Sequence, residues 1–297
     1  MISDSNFPKI SVVTPSYNQA DYLEETILSI LDQGYPNLEF IIIDGGSTDA
    51  SVEIIKKYES QIFYWESVVD RGQAHALNKG FERATGEVFA YLNSDDCYHK
   101  NTFKIIAETY FKQKENANFL FIGDCFWGES FIDNKGFLDE PNFPDSLEKA
   151  LYKRGLAPQA SMFWTKKNVD VKFYEQLRFC MDHEFWLQLI LNNYKIVRIN
   201  ENLSLFRQHS LSKTHTISHV LDQELNGLNS IYLKYIKTEN QLKLRLTNLE
   251  IENQKISQNL LSSFKKKEIG LYEISNSHLS IALKLKTFLK AILGYER

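Results

Sequence analysis

Short apolar runs alternate with amphipathic stretches from Ile10 onward, and this alternation limits the folds open to the chain more than any other feature. It is typical of βαβ units, and therefore of an α/β protein with a mostly parallel sheet flanked by helices. The pattern predicts strands at residues 10–14, 40–43, 62–65, 88–92 and 119–122, and helices at residues 21–32, 50–58, 73–84 and 103–111. The alternating aromatic and turn residues that follow, up to residue 142, predict antiparallel strands.

Composition narrows the class of protein further. The 297 residues contain 34 Lys and Arg against 38 Asp and Glu, and a net charge of −4 is too balanced to hold a protein on nucleic acid. Cys97, Cys125 and Cys180 lie far apart without C-x-x-C spacing, so neither a disulfide framework nor a thiolate zinc site is indicated. Residues 1–8 are too polar for a secretory signal, and no apolar run reaches the roughly 18 residues of a spanning helix. We therefore expect a cytoplasmic protein.

The composition changes near residue 221, where proline vanishes and leucine recurs at heptad spacing. The core positions would be Leu221, Leu225, Leu228, Tyr232, Tyr235, Leu242, Leu246, Leu249, Ile256 and Leu260. This predicts one long helix. Asn253 at a core position favours a two-stranded pair and hence a homodimer, but a helix folded back on its own domain also needs an apolar stripe. Residues 279–293 resemble a basic amphipathic helix for an anionic membrane surface, or a terminal helix docked on protein.

Polar motifs follow the first two predicted strands. T-P-S-Y-N occupies residues 14–18, and I-D-G-G-S-T-D occupies residues 43–49. These residues suit a nucleoside-binding site. They offer hydroxyls, an aromatic ring, glycines that let a ligand approach the backbone closely, and the Asp44 carboxylate, which can accept a hydrogen bond from a base imide or a ribose hydroxyl. The alternative is that Asp44 and Asp49 only stabilise a turn and cap a helix, an interpretation that fits Asp49 better than Asp44. Neither the P-loop nor the G-x-G-x-x-G pattern is present, which disfavours nucleotide hydrolases and dinucleotide enzymes.

Charged motifs follow the third and fourth strands. D-R-G-Q-A-H-A-L-N-K-G, residues 70–80, offers Arg71 and Lys79 for phosphates, although solvated surface charge is an equal interpretation for Lys79. N-S-D-D, residues 93–96, places two adjacent carboxylates after a buried strand. Such a pair repels itself unless a cation is present, and hard oxygen ligands suit Mg²⁺ or Mn²⁺ with diphosphate oxygens. An acidic turn that caps the next helix is the alternative.

Two later motifs supply candidate acid–base and phosphate-binding groups. M-D-H-E-F-W-L, residues 181–187, opens an amphipathic helix where the helix dipole already favours acids. Asp182 or Glu184 could there act as general base toward an acceptor hydroxyl. F-R-Q-H, residues 206–209, follows a strand-like stretch at residues 202–205. Arg207 and His209 could reach a diphosphate or its metal, while a structural hydrogen-bonding role is the simpler interpretation of a lone histidine.

In this order the six motifs resemble those of the inverting family 2 glycosyltransferases with the GT-A fold, over about residues 8–212. The resemblance implies a Rossmann-like GT-A catalytic domain at residues 1–216 and a helical extension at residues 217–297. It implies metal-dependent transfer of a sugar from a nucleotide-diphosphate sugar, with uridine as the default base, to a hydroxyl of a lipid-linked or growing cell-surface glycan. Mn²⁺ or Mg²⁺ would be the cofactor, and the inner face of the cell membrane the place of action.

The resemblance also assigns site residues. For the nucleotide sugar it implies Thr14, Pro15, Ser16, Tyr17, Asn18, Asp44, Gly45, Asp70, Arg71, Asn78, Lys79, Asn93, Ser94 and Asp95. For the metal it implies Asp96, Asp95 and His209, with Asp95 facing the ribose and Asp96 the metal. Met181 stands where the family's motif usually has glutamate, so the general base is assigned to Asp182, with Glu184 in reserve.

Two other functions fit parts of the pattern. A nucleotidyltransferase shares the α/β layout and a metal-bound nucleotide, but it would be expected to carry a glycine-rich basic loop after the first strand, where this chain has residues 15–18. A binding scaffold with a decayed site would use the heptads to recruit partners. It predicts the loss of acids, yet Asp44, Asp95, Asp96 and Asp182 are all present.

Overall fold

The computed structural model describes residues 7–113, 117–131, 136–141, 150–151, 157–165, 171–210 and 212–249, with side chains described as far as residue 238. The strands are β1 (Ile10–Ser16), β2 (Leu38–Asp44), β3 (Tyr64–Ser67), β4 (Val88–Tyr91), β5 (Cys97–Tyr98), β6 (Phe119–Gly128), β7 (Gly136–Asp139), β8 (Met162–Thr165) and β9 (Lys195–Arg207). The helices are α1 (Ala20–Leu31), α2 (Ser51–Lys57), α3 (Gln73–Arg83), α4 (Thr102–Phe111), α5 (Met181–Leu191), α6 (Lys213–Thr216) and α7 (Leu221–Leu249).

The described strands form one sheet in the order β3-β2-β1-β4-β8-β6-β9-β5, with β7 paired to β6. The pairs β1–β2, β2–β3, β1–β4 and β6–β9 are parallel, and β8 runs antiparallel to both of its neighbours. β5 and β7 are antiparallel to their partners as well. The predicted α/β class, with flanking helices and a long C-terminal helix, is confirmed, and each antiparallel pair includes a strand that follows β4 in the chain.

The predicted elements of the first half lie within a few residues of the observed ones. The third strand is displaced to Tyr64–Ser67 because a 3₁₀ turn at Glu59–Gln61 precedes it. β6 and β9 are much longer than their predicted apolar cores at residues 119–122 and 202–205, because they pair with each other along most of their lengths. A pairing between distant segments leaves no local signal in either one.

Alternate residues of the central strands face two apolar layers, as the period of two requires. Val12 and Ile42 lie in the layer covered by α1, α2 and α4. Val13 and Ile43 lie in the other layer, which α3, α5 and α7 cover. A sheet buried on both faces explains why the first strands are continuous apolar runs.

The first half of α7 packs against the second of these layers. Its residues Leu225, Leu228, Ile231 and Tyr232 are buried in the same cluster as α5. The chain thus folds this part of the heptad stripe back on its own domain, which was one of the two predicted uses. The core positions from Leu242 onward and residues 279–293 lie outside the residues whose side chains are described. Within the described ranges, no helix combines the length and the apolar character needed to cross a bilayer.

Tyr232 links α7 to α5 through a buried acid. Its hydroxyl donates to Glu184 Oε1 at 3.0 Å, and Gln188 Nε2 donates to Glu184 Oε2 at 2.5 Å. Glu184 is only 1% exposed. Burial raises its pKa from 4.5 to about 7, although the hydrogen bonds from Gln188 and Tyr232 act in the opposite direction. The fold therefore binds a proton at this site that the unfolded chain has released near neutral pH.

Gly80 in α3 and Gly227 in α7 differ in the space available for a side chain. A Cβ at Gly80 would overlap the Val13 side chain of β1, whereas a Cβ at Gly227 in α7 would meet nothing within 4 Å. We expect Gly80→Ala to lower the free energy of unfolding by about 1–3 kcal/mol through overpacking, and Gly227→Ala to raise it by up to about 1 kcal/mol because alanine is the better helix former. Urea unfolding followed by circular dichroism measures both changes, and a neutral Gly80→Ala would contradict the close contact of α3 with β1.

Glu184 should make stability depend on pH. Its pKa is about 7 in the fold, above its ordinary value of 4.5, so its contribution is fully present below about pH 4.5 and is lost as the pH rises through 7. The loss is on the order of 3 kcal/mol. Glu184→Gln removes this titration, so its free energy of unfolding should change less than that of the wild type in urea titrations at pH 5, 6, 7 and 8. Parallel profiles for the two proteins would contradict the raised pKa.

Candidate active site

The carboxyl ends of the first parallel strands lie along one edge of the sheet. Ser16 is in register with Asp44, and Asp44 with Ser67. β4 runs parallel on the other side of β1 and leads into the N-S-D-D motif. Because the ligand sites of open α/β sheets lie at this edge, the motifs predicted to bind the donor are brought to the expected place.

Hydrogen bonds join the turns after β1 and β2 into one wall. Asn18 adopts a left-handed backbone conformation at φ 52°, and its Oδ1 accepts from the Thr48 amide at 2.8 Å. The Asn18 amide donates to Ser47 Oγ at 2.8 Å. Asp49 accepts from the amides of Ala20 and Ser51, both at 3.0 Å. Asp49 therefore serves the turn and the adjoining helix start, as its alternative interpretation predicted.

Asp44 is fully buried and already has partners within the same wall. Its Oδ2 accepts from the Gly46 and Ser47 amides and from Ser67 Oγ, at 3.1, 2.8 and 2.7 Å. Its Oδ1 accepts from Ser47 Oγ at 2.5 Å. These contacts show that Asp44 stabilises the turn after β2, the role that the sequence had disfavoured for it. A contact of Asp44 with a base or ribose stays a prediction.

The carboxylate of Asp70 lies over Gly45, where a Cβ would meet its Cγ and Oδ2 at 3.2 Å. Asp70 Oδ1 accepts from the Gly72 amide at 2.7 Å. Tyr17, one of the predicted donor residues, is 61% exposed. Thr14 and Ser16 are buried at the end of β1, and their hydroxyls have no hydrogen-bond partner among the described residues.

Three predicted donor residues contact other parts of the protein. The Arg71 guanidinium binds Glu175 Oε2 through Nε at 2.9 Å and Nη2 at 2.6 Å. Asn78 exchanges two hydrogen bonds with the backbone of Phe173, both at 2.9 Å. Lys79 forms an ion pair with Glu66 of β3. These contacts anchor α3 to its neighbours, and a role for the three side chains in phosphate binding stays a prediction.

Asp96 is 1% exposed, and the protein engages both of its oxygens. Oδ1 accepts from the Arg207 amide at 2.9 Å, and Oδ2 accepts from Asn93 Nδ2 at 3.2 Å. Burial, and then the adjacent Asp95 carboxylate, raise the pKa of Asp96 well above its ordinary value. The two hydrogen bonds hold the turn together, and the predicted role of Asp96 as the carboxylate that faces the metal stays a prediction.

Asp95, in contrast, meets the predicted histidine. Its Oδ2 lies 3.0 Å from His209 Nε2, and the two side chains are 17% and 10% exposed. The other ring nitrogen, Nδ1, is buried without a partner among the described residues, and the ring packs on Tyr22 with centroids 4.4 Å apart. The structure thus brings Asp95 and His209 together, and their role as metal ligands stays a prediction.

Arg207 braces the N-S-D-D turn from inside. Its Nε donates to the Asp95 carbonyl at 2.8 Å, its Nη1 to the Glu129 carbonyl at 2.6 Å, and its Nη2 binds Glu25 Oε2 at 2.6 Å. Because the guanidinium is engaged on all three nitrogens, the structure does not favour the predicted reach of Arg207 toward a diphosphate.

A chain of side-chain amides connects the site across the sheet edge. Lys213 Nζ donates to Gln73 Oε1 at 2.7 Å, and Gln73 Nε2 donates to Asn93 Oδ1 at 2.6 Å. Asn93 Nδ2 donates to Gln159 Oε1 at 3.0 Å, and Gln159 Nε2 donates to the Tyr91 carbonyl at 2.7 Å. Sequence analysis missed Gln73, Gln159 and Lys213 as site residues. Only Gln73 lay within a recognised motif.

Asp182 is the second residue of α5 and is partly exposed. Its Oδ1 accepts from the His183 amide at 2.7 Å. Burial raises the pKa of Tyr91 well above its ordinary value, with further contributions from Asp182 and then Asp96. Burial also lowers the pKa of Lys213, which Asp182 opposes. Asp182 therefore lies within electrostatic range of both Tyr91 and Lys213.

Glu184, the reserve candidate, differs from Asp182 in accessibility. It points into the core toward Gln188 and Tyr232 and is 1% exposed. A general base must reach the hydroxyl from which it takes a proton. Of the two candidate acids, only Asp182 is partly exposed, and its role as the base stays a prediction.

Comparison with known proteins identifies the family. The family model described as glycosyl transferase family 2 matches residues 11–171. TuaG of Bacillus subtilis (strain 168), a glycosyltransferase assigned to teichuronic acid biosynthesis, is 30% identical over 208 residues, which are 67% of this chain and 79% of TuaG. Two further glycosyltransferase relatives match less completely: one match covers 31% of this chain and 38% of the relative, and the other covers 97% of this chain and 47% of the relative.

Solved structures show the same fold. TarS 1-349 of S. aureus, crystallised with UDP-GlcNAc, superposes with a TM-score of 0.60 at 17% identity, over 96% of this chain and 81% of TarS 1-349. The mannosyltransferase PcManGT from Pyrobaculum calidifontis, crystallised with GDP-Man and Mn²⁺, has a TM-score of 0.50 at 15% identity, over 99% of this chain and 89% of PcManGT. With the extent of the family match, this makes the chain a glycosyltransferase of family 2 with the GT-A type of α/β fold.

Proposed function

We propose that the chain is an inverting, metal-dependent glycosyltransferase that moves a sugar from a UDP-sugar to a hydroxyl of a lipid-linked or growing cell-surface glycan. The observation that carries the proposal is the contact of Asp95 with His209 in the turn after β4, a parallel strand, and the partly exposed Asp182 at the start of α5 supplies the candidate base. The UDP-GlcNAc bound to TarS supports the donor class, and the pathway assigned to TuaG supports the acceptor class.

The contact between Asp95 and His209 supports a divalent cation. A carboxylate oxygen and an imidazole nitrogen 3.0 Å apart are ligands that suit Mn²⁺. Among the described residues, no group of three Asp, Glu, His or Cys side chains could hold a metal ion, so diphosphate oxygens and water would complete the coordination. The Mn²⁺ bound with GDP-Man to PcManGT supports this arrangement. When bound, the cation would neutralise charge that develops on the departing diphosphate.

The reaction proposed for this chain is a single displacement. Asp182 takes the proton of the acceptor hydroxyl as that oxygen bonds to the anomeric carbon. The bond from this carbon to the nucleotide breaks on the opposite face, and its electron pair leaves with the diphosphate, so the configuration inverts.

Several parts of the proposal concern the whole protein. Action at the cytoplasmic face of the membrane and a homodimer through the C-terminal helix stay predictions, as do the division at residue 216 and the membrane helix at residues 279–293. The choice of uridine over other bases is also a prediction. A nucleotidyltransferase or a decayed scaffold is less well supported, because glycosyltransferase relatives match the chain and the acids of the site are present.

The metal assignment can be tested by UDP binding. We expect Mn²⁺ to increase the affinity of the wild type for UDP, and Asp95→Asn to remove at least tenfold of this increase because a charged ligand is lost. Asp96→Asn keeps an acceptor for the Arg207 amide and should retain the Mn²⁺ dependence while lowering the melting temperature. Calorimetric titration with and without Mn²⁺ measures these affinities. If Asp96→Asn lost the Mn²⁺ dependence and Asp95→Asn kept it, Asp96 would be the metal ligand.

The base assignment can be tested by turnover. Asp182→Asn should lower kcat for Mn²⁺-dependent hydrolysis or transfer of UDP-GlcNAc by about 10²–10⁴-fold, the range for a general base, with UDP affinity unchanged. Glu184→Gln is the matched control and should stay within a few fold of the wild type. A donor screen by thermal shift comes first, since bound ligand raises stability. Loss of turnover in Glu184→Gln alone would move the base to Glu184.

A further inference from the structure

Glu224 of α7 binds the backbone at the start of the helix that carries Asp182. Its Oε1 accepts from the Arg178 amide at 2.7 Å. Its Oε2 accepts from the Phe179 and Cys180 amides at 2.9 and 2.8 Å. One carboxylate therefore holds three consecutive amides directly before α5, and it comes from a helix 44–46 residues further along the chain.

The local sequence does not supply this contact. The residue that precedes α5 is Cys180, and its side chain makes no capping hydrogen bond. A thiol is a weak acceptor, whereas a carboxylate near a helix N-terminus forms charge-assisted hydrogen bonds and is favoured by the dipole. Asp182 lies in the first turn, but a side chain that must accept a substrate proton is poorly used as a cap. Glu224, which belongs to another helix, holds this end of α5 by binding the three amides that precede it.

A second contact from α7 lies on the other side of Asp182. Tyr232 donates to Glu184 one turn along α5, and the apolar residues Leu225 and Leu228 between Glu224 and Tyr232 are buried in the cluster that contains α5. Asp182 is two residues after Cys180 and two before Glu184. Two contacts that flank it fix both the rotation and the axial position of the first turn of α5.

We propose that Glu224 is a positioning residue for Asp182, and that α7 completes the active site by holding the start of α5. The inference rests on the proposed role of Asp182 as base. Glu224 contacts neither donor nor acceptor in this proposal; it keeps the Asp182 carboxylate within reach of the acceptor hydroxyl. Small displacements of such a group lower the rate of the chemical step more than they weaken donor binding.

The contact itself is tested by amide hydrogen exchange in the full chain. In Glu224→Ala, exchange at Arg178, Phe179 and Cys180 should become about 10- to 100-fold faster, while peptides from β1 keep the wild-type rate. Glu224→Gln retains one acceptor oxygen and should be intermediate. Gln223→Ala, one residue away on an exposed position of α7, is the matched control and should match the wild type. Unchanged exchange at residues 178–180 in both Glu224 variants overturns the inference.

The positioning role is tested by separating binding from turnover. With UDP-GlcNAc and Mn²⁺, Glu224→Ala should lower kcat at least tenfold while KM and the Kd for UDP stay within about twofold, and Glu224→Gln should recover part of kcat. A parallel loss of kcat and UDP affinity, or an unchanged kcat with faster exchange, overturns the positioning role. If the wild type does not turn over any UDP-sugar, the proposed donor fails, and the exchange experiment still decides whether Glu224 holds α5. If Glu224→Ala does not fold, Glu224→Gln carries both measurements.

Discussion

The buried carboxylate of Asp96 joins two segments that are 111 residues apart, because it accepts from the Arg207 amide at the end of β9. The side chain of the same residue, Arg207, also donates a hydrogen bond to the Asp95 carbonyl. The turn after β4 is thereby fixed to the strand that leads into His209. A buried carboxylate must find hydrogen-bond partners or remain protonated. The contact between Asp95 and His209 depends on this internal acid.

The proposed active site has two parts that rest on different supports. The part proposed to bind the donor belongs to the turns after β1 and β2, whose backbone amides donate to side-chain oxygens of the same turns. The part that carries Asp182 rests on α5, which α7 holds at both ends of its first turn. The amide chain from Lys213 to Gln159 links α6 and α3 to the N-S-D-D turn. A division of the chain at residue 216 would separate Asp182 from the residues that hold its helix.

The family match ends at residue 171, before Asp182, His209 and Glu224. The matched part contains the parallel half of the sheet and the turns that follow its strands, where close backbone approach restricts the residues at Gly45 and Gly46. The remainder of the site comes from β9, α5, α6 and α7. Several contacts in this part of the site come from single side chains in distant segments, and a local sequence motif does not contain such residues.

The sequence by itself determined the α/β class and the edge of the sheet where the polar motifs meet, because periodicity and strand ends are local properties. It named Asp95 and Asp96, and Asp182 and Glu184, as candidates, but only the family resemblance ranked them, since adjacent or nearby carboxylates differ only in burial and partners. Those depend on Arg207, Gln188 and Tyr232, which are distant in sequence or on another helix face. Tertiary structure also turned the first half of the heptad helix inward, because Leu225, Leu228 and their neighbours pack in the same apolar cluster as α5.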